Sequence, residues 1–229
     1  MSVETFFRKI KKGSKSFRNI IMNNRIKPNF YKTNPTVKSF CKSADVPFGT
    51  EKEWARSLGV WNTFCFPNRF KSFLFKYYSN VLGTGNRVFH FNINSDPACV
   101  FCIKAYNLPA PMETFSHLFY DCPETEKVLS NFFIKYFNGD ITRDNYFSGN
   151  FDSSKRDNFA INLILDSLRF AIWQCKLLKN RISFFTIETE TISLLENITA
   201  TSEKIKQSIM QCQFINVDGE RRQRERAPP

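Results

Sequence analysis

The sequence predicts a mostly α-helical fold: a small helical domain stapled by a Cys-Cys-His-Cys metal site, between a disordered basic N-terminal arm and a disordered C-terminal tail. Three observations predict it. Apolar residues recur at helical spacing in several segments. Three cysteines and one of the 2 histidines lie close together in the chain, and the excess positive charge is confined to the N-terminal part.

Composition excludes several classes of protein. The 229 residues, 42% of them hydrophobic and 26 of them Phe, are sufficient for a substantial aromatic core. With 8 Gly and neither a P-loop nor a dinucleotide-binding fingerprint, the chain is not a nucleotide-binding protein of those types. The richest apolar run, 159–173, is interrupted by Asn162, Asp166 and Arg169, so no membrane-spanning helix is predicted.

Charge is strongly asymmetric along the chain. The first 80 residues contain 16 Lys and Arg against 4 Asp and Glu, whereas the remaining residues balance, within a net charge of +12. Such asymmetry indicates a polyanionic partner, RNA or DNA rather than a membrane, and the alternative is a solvated arm with no partner. The candidate phosphate contacts are Lys9, Lys11, Lys12, Lys15 and Arg18 in the arm and Arg69, Lys71, Lys76 and Arg87 beyond it.

The first elements in order are the arm and one helix. Residues 1–50 have no sustained periodicity beyond Phe6, Phe7 and Ile10, so we predict a flexible arm, with an organellar targeting peptide as the alternative. The next segment has an apolar helical face that begins near Pro67 and stops at Gly83. This face consists of Phe70, Phe73, Leu74, Tyr77, Val81 and Leu82. Residues 84–98 are predicted to form a turn-rich connector.

Three further helices follow the cysteines. Pro123 is placed to begin a helix that runs to Phe137, and a polar loop spans 138–155. Helices are then predicted over 156–179, with Cys175 on the core side, and over 183–211. The resulting organisation is an arm (1–50), a zinc-binding region (51–140), a C-terminal helical region (141–212) and a disordered tail (213–229).

Four residues carry the chemistry. Cys99 and Cys102 are followed by His117 and Cys122, in the pattern C-x2-C-x14-H-x4-C. Zn²⁺ takes four such donors in a closed tetrahedron, so this set predicts a structural zinc site. Ordinary buried cysteines beside a hydrogen-bonded histidine, or a nucleophilic Cys–His pair, are the alternatives. His90 is interpreted as a surface residue rather than a further ligand.

At these residues the sequence resembles a known family. The string Glu113-Thr-Phe-Ser-His117-Leu-Phe-Tyr-Asp-Cys122-Pro123, preceded by Cys99-x-x-Cys102, is similar to the zinc-binding region near the C-terminus of reverse transcriptases from non-LTR (LINE-type) retrotransposons. The segments from Pro67 to Arg87 and around Trp173 resemble the helices that flank that region. The resemblance covers about 55–212 and implies that the four residues are zinc ligands and that the region grips element RNA or target DNA.

The predicted function follows from both arguments. We expect a zinc-binding, nucleic-acid-binding module without polymerase or endonuclease activity, because no adjacent pair of aspartates is present to hold the polymerase metals. Phe101 and Tyr106 are candidates for stacking on unpaired bases, with packing against the site as the alternative, which is favoured for Phe101. A protein-interaction scaffold using Ile187, Leu194, Ile198 and Ile205, or a truncated element without function, are the alternatives. The lack of a secretion signal and seven cysteines in the chain predict an intracellular protein of the nucleus or cytoplasm.

Overall fold

The computed structural model describes residues 35–47, 66–106, 110–137, 139, 141–149 and 158–211. Within these ranges the regular structure is helical, apart from one antiparallel bridge between Ala98 and Met112, which confirms the predicted mostly-α class. None of the described helices has the length and hydropathy needed to cross a membrane. The helices are α1 (Pro35–Ala44), α2 (Asn68–Tyr78), α3 (Gly85–Phe91), α4 (Val100–Tyr106), a π-helical turn (His117–Asp121), α5 (Pro123–Phe137), α6 (Arg143–Ser148), α7 (Asn158–Leu177), α8 (Phe184–Thr199) and α9 (Glu203–Gln211).

The flexible arm predicted for residues 1–50 is wrong over 35–47. Pro35 opens α1, at the first helical position where a missing N–H costs nothing. Phe40 is fully buried, with its ring against Tyr77 and Phe115 at centroid distances of 5.4 and 5.5 Å. The apolar stripe of α1 is too short to stand out among basic residues, and only tertiary packing reveals it. Residues 1–34 and 48–50 of the predicted arm lie outside the described residues.

The second helix stops earlier than predicted because of its C-terminal cap. Asn80, not Gly83, adopts the left-handed conformation, with φ of 51°. The Asn80 N–H donates to the Tyr77 carbonyl at 2.9 Å, and the Val81 N–H donates to the Lys76 carbonyl at 2.8 Å. This pair of hydrogen bonds is the Schellman motif that closes helices. The predicted turn-rich connector over 84–98 is wrong over 85–91, where α3 forms.

The later helices follow the predicted pattern with two corrections. The helix over Pro123–Phe137 is confirmed at both ends, and α7 lies within the predicted 156–179. The predicted polar loop contains the short helix α6, which is N-capped by the Thr142 hydroxyl. The single long helix predicted over 183–211 is interrupted after Thr199, so that α8 and α9 can both pack on α7.

One hydrophobic cluster extends across the predicted boundary at residue 140. α7 is central: its buried residues contact α8 and α9 on one side and α2 on another. Cys175 is buried on α7, as predicted. The apolar stripe that the scaffold alternative assigned to a protein partner instead belongs to the core: Ile187, Ile198 and Ile205 are buried and Leu194 is partly buried. The predicted zinc-binding region and the C-terminal helices therefore share one core.

A fully buried ion pair joins three helices inside this core. The Arg169 guanidinium donates to Asp166, whose Oδ1 also accepts from the Tyr78 hydroxyl at 2.9 Å. The guanidinium lies between the rings of Tyr77 and Tyr146, 5.2 and 5.0 Å from their centroids. Burial outweighs the attraction of Arg169 and raises the pKa of Asp166 to about 6. These contacts connect α7 with α2 and α6, and thereby fix the frame on which the metal-ligating segment rests.

Candidate metal centre

The four predicted ligands are brought together from three short segments. Cys99 lies just before α4 and Cys102 lies in its first turn, so both thiols of the pair reach the same point. His117 begins the π-helical turn, and Cys122 lies immediately before α5. The three cysteines are buried and the histidine is half-buried. The structure therefore brings all four together in one Cys-Cys-His-Cys cluster.

Backbone hydrogen bonds bring together the two ends of the segment that separates the ligand pairs. Ala98 and Met112 form the antiparallel bridge, and the Cys99 N–H donates to the Pro111 carbonyl at 2.9 Å. Residues 99 and 111 thus become neighbours although twelve positions apart in sequence. The segment between the pairs begins with helix α4, and residues 107–109 lie outside the described part of the chain.

A capped π-helical turn explains why His117 and Cys122 can share one site. The Thr114 hydroxyl accepts from the His117 N–H at 3.0 Å, which caps the start of the turn. The Cys122 N–H donates to the His117 carbonyl at 2.8 Å. This i to i+5 bond defines a π-turn, a local irregularity frequent at functional sites. It joins the two ligand residues themselves, so the four-residue gap between them is the spacing that such a turn requires.

The distances within the cluster fit a tetrahedral metal site. The Cys102 and Cys122 sulfurs are 3.6 Å apart and those of Cys99 and Cys122 are 3.9 Å apart. Cys102 Sγ lies 3.5 Å from His117 Nε2, and all four ligand atoms are within 4.8 Å of one another. Ligands at the usual zinc bond lengths in a regular tetrahedron would place two sulfurs about 3.8 Å apart and sulfur and nitrogen about 3.5 Å apart. The donor set present therefore fits the metal.

The cysteines of the cluster are free, and their surroundings change the pKa values of their thiols. All three are free rather than paired in disulfides. Hydrogen bonds from the Cys99 thiol and the His117 ring lower the pKa of Cys122 to about 4, against the effect of burial. Backbone N–H groups at the start of α5 add to this lowering, since helix N-termini favour negative charge. Burial raises the pKa of Cys102 to about 11. Because zinc binds cysteine as the thiolate, metal binding at this cluster would release protons from the thiols.

Glu113 is a site residue that the sequence did not explain, although it opens the quoted motif. Its carboxylate is buried and accepts from the Gly85 N–H at 2.8 Å, while Lys176 on α7 lies 3.3 Å away. An added Cβ on Gly85 would come within 2.6 Å of the Pro97 carbonyl oxygen. Glu113 therefore ties the metal-ligating segment to α3 and α7, and the glycine permits the close approach.

The predicted nucleic-acid contacts divide into three groups. Lys9, Lys11, Lys12, Lys15 and Arg18 lie outside the described residues. Arg69 and Lys76 are exposed on α2, and Lys71 is half-buried there. Arg87 is half-buried, and its guanidinium donates to the carbonyl of Asn80, so at least part of its role is to lock α3 to the end of α2.

The aromatic residues predicted to stack on bases are not equally available. Phe101 is buried in the core between Cys99 and Cys102 in the chain, so it packs the site, as the favoured alternative predicted, and is not available for stacking. Tyr106 is exposed, but its hydroxyl donates to Glu124 and the Lys127 ammonium lies 5.6 Å from its ring centroid. His90 is exposed and lies outside the metal-ligating group, as predicted.

Comparison with known proteins agrees with this geometry. No curated protein and no solved structure gives a match, but one protein family matches residues 31–128. The matched region begins before α1 and ends in α5, so it contains the helix that sequence analysis assigned to the arm. All four clustered ligands also lie within it. Over these residues the chain is similar to a family described as zinc-binding in reverse transcriptase.

Proposed function

We propose that the protein is a structural zinc module that binds nucleic acid through its basic helices. The metal identity is supported by three thiolates and one imidazole at tetrahedral spacing, a donor set that zinc prefers and that leaves no position open for substrate. Bound there, zinc would supply folding free energy by joining α4, the π-helical turn and α5. Buried cysteines are poorly placed to act as nucleophiles on a substrate, which favours the role of ligand.

The observation that carries nucleic-acid binding is the charge of two adjoining helices. Neither α1 nor α2 contains an acidic residue, and together they carry Lys38, Lys42, Arg69, Lys71 and Lys76. The helices are joined through the Asn80 amide, which donates to the Ser39 and Ser43 hydroxyls at 2.8 and 2.9 Å. By contrast, α8 carries Glu188, Glu190 and Glu196 and no basic residue. A polyanion is attracted to the first surface and repelled by the second.

We further propose that the module has no polymerase or endonuclease activity and derives from a LINE-type element. The quoted motif around His117 supports the origin. The sequence has no adjacent pair of aspartates, which supports the lack of polymerase activity, because phosphoryl transfer to a growing strand uses metals held by carboxylates. The free thiols of the site require a reducing environment, which supports a location in the nucleus or cytoplasm.

The test is a salt titration of binding to labelled RNA and DNA by fluorescence anisotropy. For the wild-type protein, log K should fall linearly with log salt, with a slope of about −0.7 to −0.9 for each phosphate contacted. The variant Arg69→Glu/Lys76→Glu should bind more weakly, with a slope that is shallower by about one for each phosphate that is no longer neutralised. Lys204→Glu/Lys206→Glu, which also reverses two exposed charges but on α9, is the matched control and should bind as the wild type does. A flat salt response, or equal weakening in both variants, would contradict the proposal.

A further inference from the structure

The most exposed large apolar side chain among the described residues lies on α3. Phe91 is 81% exposed, and Ile93, two residues later, is 77% exposed. Val88, on the same helical face as Phe91, is also exposed, and α3 has no buried residue. We call these three side chains the Phe91 patch. A folded chain is stabilised by burying such groups, so several exposed ones within six residues of the chain indicate a surface that acquires a partner.

The charge around the Phe91 patch selects the kind of partner. α3 carries Arg87 and His90 and no acidic residue, and Arg87 links it to the end of the basic helix α2. The ammonium of Lys176 donates to the Gly83 carbonyl, in the turn between α2 and α3, but its charge is paired with the buried Glu113 carboxylate. The carboxylate that follows the patch, Asp96, accepts from the Ala98 N–H. α3 itself thus brings the positive charge of Arg87 beside the patch and contributes no negative charge.

We infer that the Phe91 patch is a stacking platform for the bases of single-stranded nucleic acid. This inference rests on the proposed function and adds which form of nucleic acid is preferred. A flat ring exposed beside cations is what an unpaired base requires, since each base has a π-face and its phosphate is attracted to nearby positive charge. The bases of a duplex already stack on one another and hide these faces. The patch therefore offers the exposed ring that the buried Phe101 does not.

A matched control exists on the acidic side of the molecule. Phe185, near the start of α8, is 75% exposed, nearly as much as Phe91. It differs in its surroundings, because the helix that carries it has three glutamates and no basic residue. Removing either ring deletes the same chemical group from the surface. Only the removal of the ring beside the cations should affect binding to a polyanion.

The experiment compares wild type, Phe91→Ala, Phe91→Trp and Phe185→Ala for binding to labelled poly(U) and to a DNA duplex, by anisotropy over a salt series. Phe91→Ala should weaken binding to poly(U) by about tenfold or more, the usual effect of removing one stacking side chain. The slope against log salt should remain that of the wild type, because a ring contact releases no counterions. Phe91→Trp, which keeps an aromatic face, should restore the affinity, and Phe185→Ala should leave it unchanged.

Several results would overturn the inference. If Phe91→Ala binds poly(U) as tightly as Phe185→Ala, the patch is not a stacking platform, although salt-dependent binding would still support the proposed function. An equal weakening on the duplex would overturn the preference for single strands. If sedimentation shows that Phe91→Ala dissociates a wild-type dimer, the patch joins two copies of the chain. If the wild-type protein binds neither nucleic acid, the proposed function fails and this inference fails with it.

Discussion

Removing Arg169 should destabilise the whole molecule, because the residue is the positive half of a fully buried ion pair. In Arg169→Ala the Asp166 carboxylate would retain only the hydrogen bond from Tyr78. The rings of Tyr77 and Tyr146 would also lose the guanidinium that lies between them. Deleting one partner of a buried pair typically costs about 3 to 5 kcal/mol, a large fraction of the roughly 5 to 15 kcal/mol that stabilises a domain.

The destabilisation should depend on pH in a definite direction. Burial already raises the pKa of Asp166 from its ordinary value of 3.8 to about 6, and without Arg169 it should rise further. A carboxyl whose pKa is raised in the folded state stabilises that state while it is protonated, so stability falls as pH rises through this range. The variant should therefore be closest to wild type near pH 4 and fall furthest behind above pH 6.

The assay is denaturant unfolding followed by circular dichroism across this pH range. The double variant Asp166→Asn/Arg169→Ala should recover part of the missing stability at pH 7, since a neutral amide needs no counter-charge. This account of the core would be refuted if Arg169→Ala lowered the free energy of unfolding by less than about 1 kcal/mol. It would also be refuted if the loss were the same at every pH and Asp166→Asn restored none of it.

Three other predictions concern the frame of the site. Gly85→Ala should lower stability by about 1 to 3 kcal/mol because its Cβ would come within 2.6 Å of the Pro97 carbonyl oxygen. Gly83→Ala is the control, because its added Cβ would meet only an ordinary van der Waals contact at 3.4 Å. Equal melting temperatures for the two variants would contradict the prediction. Phe40→Ala should cost about 3 to 5 kcal/mol if α1 belongs to the core, whereas the exposed Lys38→Ala should cost little. Acidification should release the metal, detected with a zinc-sensitive dye, because its ligands bind as thiolates and neutral imidazole; retention at pH 4 would argue against this site.

The clustering of Cys99, Cys102, His117 and Cys122 could be predicted from the sequence because ligand chemistry is local. Ligand types and short spacings are enough to identify a candidate tetrahedral site, and the π-helical turn shows how the gap between His117 and Cys122 is used. The fully buried Asp166 and Arg169 could not be predicted in the same way. In the sequence they interrupt an apolar run, and only the packed helices reveal that they neutralise each other.

The boundaries of the fold were less predictable for related reasons. α1 has few apolar residues, and its burial depends on Tyr77 and Phe115, which come from distant segments. The end of α2 is set by the left-handed Asn80, whereas the apolar periodicity continues past it. Exposure of Phe91 is likewise a tertiary property, since the pattern of α3 does not show which of its faces meets the core.

The most direct test of the central claim is the metal content of the reduced protein, measured by mass spectrometry after washing with a mild chelator. We predict one zinc per chain in the wild type and in Cys175→Ser, which alters a buried cysteine outside the cluster. Cys102→Ser, which removes one ligand of the tetrahedron, should contain no zinc and should unfold with less cooperativity. Absence of zinc from the wild-type protein, or equal zinc in Cys102→Ser and Cys175→Ser, would contradict the assignment of this cluster as a structural zinc site.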